Sequence, residues 1–135
     1  MRISQQIAVF VANRPGALAE ICEALAAERI NIYGLSTSDT TDHAVVRLVV
    51  SDTHRAVAVF ESRGTLVVES DVLVIENDNK PGSLSRIAGI LARHKINIDY
   101  AYLASMPNAK KGLLILRVNN VPRAYKILKK EGEPV

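Results

Sequence analysis

The sequence contains no tryptophan, six other aromatic residues, one cysteine and no long apolar run. With Cys22 alone, there can be no intrachain disulfide framework and no Cys-rich zinc site, which favours a reducing, intracellular setting. The longest apolar stretch near the start, from Ile7 to Ala12, is about half the length of a secretory core, and no cleavage-like sequence follows it. Neither a signal peptide nor a membrane span is therefore expected. Charge of one sign is scarce too. Seventeen basic residues against fourteen acidic ones give +3, spread along the chain, which is too weak a bias to name a polyanionic partner. His43, His54 and His94 stand at no metal-ligand spacing, and a glycine-rich phosphate loop and a nucleophile–base set are both missing. The expectation is a non-enzyme without cofactor or metal. What remains, 135 residues of which 48% are apolar and 23% charged, describes a compact chain of one ordinary domain or two very small ones.

The informative feature is internal duplication. Asn13-Arg14-Pro15-Gly16-Ala17-Leu18 reappears 66 residues later as Asn79-Lys80-Pro81-Gly82-Ser83-Leu84. At the same offset Ile21, Leu25, Ala26, Ile30, Asn31 and Ile32 meet Ile87, Leu91, Ala92, Ile96, Asn97 and Ile98. Ten of the twenty positions from 13 to 32 are identical to their mates. Later matches fall at offsets of 68 to 70, because the segment Ser105 to Gly112 makes a longer loop in the second copy.

Both copies read in one order. Ile7, Val9 and Val11, and then Leu73 and Ile75, alternate as a strand does, over roughly 3–12 and 71–77. The Asn-x-Pro-Gly turn follows, and then an amphipathic helix of about fourteen residues with Leu18, Ile21 and Leu25, or Leu84, Ile87 and Leu91, on one face. A second strand begins at Ile30 or Ile96. A third, 44–50 or 113–118, is β-branched-rich and nearly all apolar. Asp52 and Asn120 are N-caps for a second helix, and 65–69 forms a fourth strand in the first copy.

The fold class is therefore α+β. Two ferredoxin-like βαββαβ repeats, 1–70 and 71–135, each form an antiparallel sheet backed by helices. In the second repeat the last strand is missing or short, since only Glu133-Pro134-Val135 is available and Pro134 suits a strand poorly. That strand is either absent or supplied from elsewhere. The junction from Leu66 to Ile75 contains neither Gly nor Pro, which predicts rigid apposition of the repeats through one long shared strand.

The turn exposes first-turn N–H groups of a helix, where Gly16 or Gly82 permits close approach and the helix end carries a partial positive charge. With Asn13, Asn79, Asn31 and Asn97, this suits a small zwitterion. Structural punctuation is the competing reading, because Pro-Gly and Asn are common turn residues.

These same residues, from Asn13 to Ile32 and from Asn79 to Ile98, resemble the opening half of the ACT domain, a small βαββαβ regulatory module attached to many amino-acid biosynthetic enzymes. The resemblance covers essentially the whole chain, twice, and implies similarity to stand-alone tandem ACT proteins. It implies a free amino acid bound between two ACT-like units, or between chains of a dimer. Asn13, Gly16, Ala17 and Leu18, and Asn79, Gly82, Ser83 and Leu84, would hold the ligand's backbone end, with Asn31 and Asn97 reaching from the facing strand. Two positions before the motif asparagine stand Val11 and Asn77, so the second site looks better equipped. The expected function is amino-acid sensing in the cytoplasm by a homodimer acting on a client enzyme or transporter. The alternative is an interaction module without a ligand. RNA binding is disfavoured, because the two central strands of each sheet carry no aromatic pair; Phe10 stands alone and Glu76 replaces it in the second copy. Cys22, replaced by Ala88, reads as core filler.

Overall fold

The computed structural model describes residues 1–132. Glu133, Pro134 and Val135, where the sequence left room for a final strand, lie outside the described residues. The elements follow in the order β1 (Arg2–Ala12), α1 (Ala17–Ala27), β2 (Ile32–Asp39), β3 (His43–Val50), α2 (Thr53–Ser62), β4 (Val67–Asp78), α3 (Ser83–Arg93), β5 (Ile98–Ala104), β6 (Lys111–Val118) and α4 (Val121–Lys130). They group into two units, one spanning Gln5–Ser70 and the other combining Met1–Ser4 with the chain from Asp71 on.

In the first unit the strand order is β2-β3-β1, all antiparallel, with Val9 opposite Val46 and Leu35 opposite Leu48. Its fourth strand is the opening of β4. The Phe10 N–H donates to the Leu66 carbonyl at 3.1 Å, and Gln6 Nε2 donates to Ser70 Oγ at 3.5 Å. In the second unit β5, β6 and β4 repeat the arrangement, with Ile75 opposite Leu114 and Leu103 opposite Leu114 on the far side. Among the described residues, the strand that flanks β4 on its other side in this unit comes from the start of the chain. β1 and β4 are hydrogen-bonded neighbours, and the register that sets Phe10 against Leu66 and Gln6 against Ser70 carries Arg2–Ser4 alongside β4 beyond Asp71. Met1 packs on the second unit's core.

The two cores are one list written twice. All eleven buried residues of the first core have counterparts in the second, which adds only Val121. Ile21, Leu25 and Leu48 correspond to Ile87, Leu91 and Leu116, and burying each such side chain contributes about 1.5–3 kcal/mol. Where the lists differ they compensate, Ala24 and Phe60 standing against Ile90 and Leu128.

The helix ends repeat as well. Asp52 and Asn120 cap α2 and α4, accepting from the N–H of Arg55 at 3.1 Å and of Arg123 at 3.2 Å. The first helices are shorter than the periodicity suggests. α1 and α3 begin after Gly16 and Gly82, whose φ values of 87° and 90° lie in the left-handed region, so Pro15 and Pro81 belong to the turn. Both end with a residue in the left-handed region, Arg29 and Lys95 at φ 57°, followed by Ile30 and Ile96 donating back to Leu25 and Leu91.

Candidate functional site

β4 delivers Asn77 and Asp78 to the turn before α3. Asn77 is 4% exposed; its Nδ2 donates to Ser83 Oγ at 3.1 Å and to the Asp78 carbonyl at 3.3 Å, while its Oδ1 is buried without a hydrogen-bond partner. Ser83 Oγ in turn donates to the Asp78 and Lys80 carbonyls, which fixes the turn. The N–H groups of Leu84 and Ser85, in the first turn of α3, meet no backbone acceptor among the described residues. A carboxylate placed there would gain both hydrogen bonds and the favourable end of the helix dipole.

Two hollows flank this turn, and Asn77 lines both. One, of about 260 Å³, is bounded by Leu84, Ser85, Leu103 and Ser105; the other, of about 390 Å³, by Lys80, Ser83, Arg86, Lys111 and Gly132. Asp78 accepts a hydrogen bond from Lys111 and lies 4.0 Å from Lys80. The Lys111 hydrogen bond and then the Lys111 charge hold its carboxyl below the usual range against the opposing effect of desolvation, with lesser help from the charges of Lys80 and Arg86.

The first unit has the same backbone and different chemistry. Its turn is likewise flanked by hollows, of about 260 and about 400 Å³. Val11 and Ala17 replace Asn77 and Ser83, so no buried amide faces either hollow. Arg14 bridges to both carboxylate oxygens of Glu20 at 3.0 and 2.9 Å, and donates to the Pro15 carbonyl at 3.3 Å.

The asparagines singled out by the sequence divide into two groups. Asn13 Nδ2 donates to the Thr40 carbonyl at 3.2 Å, tying the β2–β3 hairpin to the turn. Asn79 Nδ2 donates to the carbonyls of Met106 and Ala109 at 3.0 and 2.7 Å, so both its N–H bonds hold the longer β5–β6 loop and only its carbonyl oxygen remains for a ligand. Asn31 and Asn97 precede β2 and β5, at the opposite end of each sheet from the turn. Eight strand residues separate Asn31 from Thr40, a span of roughly 25 Å. Asn31 Oδ1 accepts from the Ile32 N–H at 2.9 Å, and Asn97 Nδ2 donates to Asp99 Oδ1 at 2.9 Å. Within a unit, then, Gly16 with Leu18, and Gly82 with Leu84, share a site with Val11 or Asn77 but not with Asn31 or Asn97.

Sequence reasoning missed the charged members, Asp78, Lys80, Arg86 and Lys111. The signal was available in the comparison of copies, because these positions hold Ala12, Arg14, Glu20 and His43 in the first. Among the described residues no group of three metal-ligating side chains occurs, and no helix is long and apolar enough to cross a membrane.

No curated protein matches the chain. Among solved structures it is similar to protein BT0572 from Bacteroides thetaiotaomicron, at 28% identity and a TM-score of 0.91 over 97% of this chain and 90% of that one. The regulatory subunit of aspartate kinase from Thermus thermophilus shares the fold at 14% identity and a TM-score of 0.69, over 98% and 99%. Aspartokinase III of E. coli, solved in complex with lysine and aspartate, does so at 18% and 0.57, over 96% of this chain and 30% of that one. A family profile described as an ACT domain pair matches residues 1–133. Duplicated cores, duplicated turns and this match agree: the chain belongs to the ACT domain family, as an ACT domain pair.

Proposed function

We propose that the chain is a regulatory protein that binds a free amino acid on the turn before α3 and relays binding through protein contacts, with no catalytic role of its own. The observation that carries this reading is the unpartnered Oδ1 of Asn77, buried beside the unpaired first-turn N–H groups of Leu84 and Ser85. That oxygen is the acceptor for a ligand's ammonium, with the Nδ2 bonds to Ser83 and Asp78 kept, while the helix end takes the carboxylate. An unsatisfied buried acceptor costs about 1–3 kcal/mol, which a ligand N–H would recover. The flanking hollow of about 260 Å³ suits a small metabolite. The complex of E. coli aspartokinase III with lysine and aspartate supports the same ligand class.

The relay would run through the outer edges of β2 and β5, the end strands of their sheets. Each carries a single charged residue, Asp39 or Asp99, and neither contains Lys, Arg or Pro, the devices that discourage edge pairing. A second copy of the chain, or a client enzyme or transporter, would pair there.

Thermal-shift measurement against the twenty amino acids tests the ligand. At about a hundred times its dissociation constant a true ligand adds roughly 2.7 kcal/mol, enough to raise Tm by several degrees. If none of the twenty raises it, the ligand-free interaction module becomes the better reading.

A further inference from the structure

Resting on that reading, the side-chain class of the ligand follows from the rows of residues that wall the hollow of about 260 Å³. Side chains directly opposite one another on antiparallel strands share a face of the sheet. Asn77 on β4 stands opposite Gly112 on β6, and the next row inward runs Ile75, Leu114 and Leu103, ending on the outer strand β5. A Cβ at Gly112 would overlap Ser105 Oγ, so Ser105 occupies the place that a side chain there would take. Leu84, in the first turn of α3, lines the same hollow. It is 37% exposed and Leu103 is 41% exposed, two large apolar side chains left half open to water beside a buried amide.

The matched rows of the first unit have the reverse polarity. Val11 stands opposite Ala44, with Asp39 on the far side of Ala44, and the next row runs Val9, Val46 and Thr37. The inner strand is apolar there and the outer strand polar, whereas the second unit puts the amide on the inner strand and Leu103 on the outer one. Such a reversal suits a ligand that buries its polar end and lays an apolar end against the outer strand. The charged groups that also line this hollow make no demand on a ligand's side chain, because Asp78 and Lys80 lie 4.0 Å apart and Asp78 is bonded to Lys111. What is left unmet is the donor that Asn77 Oδ1 lacks and the apolar cover that the two leucines lack.

We infer that the α3 site takes an amino acid with an aliphatic side chain, valine, leucine or isoleucine: its ammonium on Asn77, its carboxylate on the first turn of α3, and its side chain over Leu84 and Leu103.

Isothermal titration of the full chain with the twenty amino acids tests it. The best of the three should bind at least about ten-fold more tightly than alanine, since each further carbon laid on the leucines is withdrawn from water, and with a more negative heat-capacity change. 4-Methylpentanoate, which is leucine without its ammonium, should bind more weakly than leucine; equal binding overturns the placement on Asn77. Tightest binding of a charged, polar or aromatic amino acid overturns the inference and leaves the amino-acid reading standing; binding of none overturns both. Leu103→Thr installs the residue that the first unit carries in the matched row, and should bring the affinity for the aliphatic ligand to within about three-fold of that for alanine. An unchanged ratio counts against the proposal, and altered sedimentation of the same variant would then assign Leu103 to a contact at the β5 edge.

Discussion

Asn77 donates to Ser83 across 3.1 Å, and at the matched positions of the first unit stand Val11 and Ala17, two residues that can neither donate nor accept through their side chains. The same fold therefore holds without this pair. Asn77→Val is accordingly expected to leave the unliganded Tm nearly unchanged, because the substitution removes an unsatisfied buried acceptor worth about 1–3 kcal/mol along with two hydrogen bonds of about 1 kcal/mol each. In the same scan the shift caused by an amino-acid ligand should vanish. A fall of many degrees in the unliganded protein would show that the amide serves packing.

Asn79 and Asn13 lead to a different expectation. Asn79 holds its loop with two amide hydrogen bonds and Asn13 holds its hairpin with one. At roughly 1 kcal/mol of net stability per bond as an upper figure for exposed groups, Asn79→Ala should cost about twice what Asn13→Ala does in urea unfolding. Equal losses would mean that the bonds to Met106 and Ala109 contribute nothing in solution.

The pH dependence of the site follows from Asp78. Its carboxyl is lowered from 3.8 first by the Lys111 hydrogen bond, so its contribution to stability is complete above that ordinary value and disappears as pH falls through the depressed one. Comparing wild type with Asp78→Asn by thermal unfolding should show a difference at neutral pH that narrows only below about pH 4. A difference that persists undiminished into strong acid would assign the effect to something other than ionisation.

Much of this architecture is legible in the sequence, and the illegible parts share a physical cause. The turns, Asp52 and Asn120 as caps, and the core periodicity are local, so they can be read from spacing. On the side away from β6, the part of β4 beyond Asp71 is flanked by Arg2–Ser4, nearly seventy residues away, and nothing in a short window announces such a pairing. Likewise the residues that occupy Asn79, Met106 and Ala109, lie 27 and 30 positions downstream in a loop whose conformation is not encoded by periodicity. Asn31 and Asn97 look equivalent to Asn13 and Asn79 by repetition, and only the parallel course of β1 and β2 on either side of β3 shows that they sit at the other end of the sheet.

Arg29 and Lys95 hold a conformation that suits glycine. Both lie at φ 57° just past the end of a helix, a position where the left-handed region costs a non-glycine residue on the order of 1 kcal/mol. Lys95→Gly should therefore stabilise the protein by up to about 1 kcal/mol, less the entropy glycine adds to the unfolded chain. Chemical denaturation measures the gain, and a loss would mean that the lysine stem makes contacts worth more than the strain.

The compensating core positions provide the test of whether the two cores are interchangeable designs. Ala24 and Phe60 line the same hollow of about 400 Å³ in the first unit, while Ile90 and Leu128 occupy their places in the second, so volume has moved from one helix to the other. Ala24→Ile alone adds three carbons beside an intact Phe60 and should cost about 1–3 kcal/mol through overpacking. Phe60→Leu alone removes volume beside Ala24 and should also destabilise. Together they reproduce the second unit's pair, and the double variant should recover at least about 0.5 kcal/mol relative to the sum of the two losses. Strict additivity in a double-mutant cycle would show that the two side chains do not share the space, and that each core is packed by its own rules.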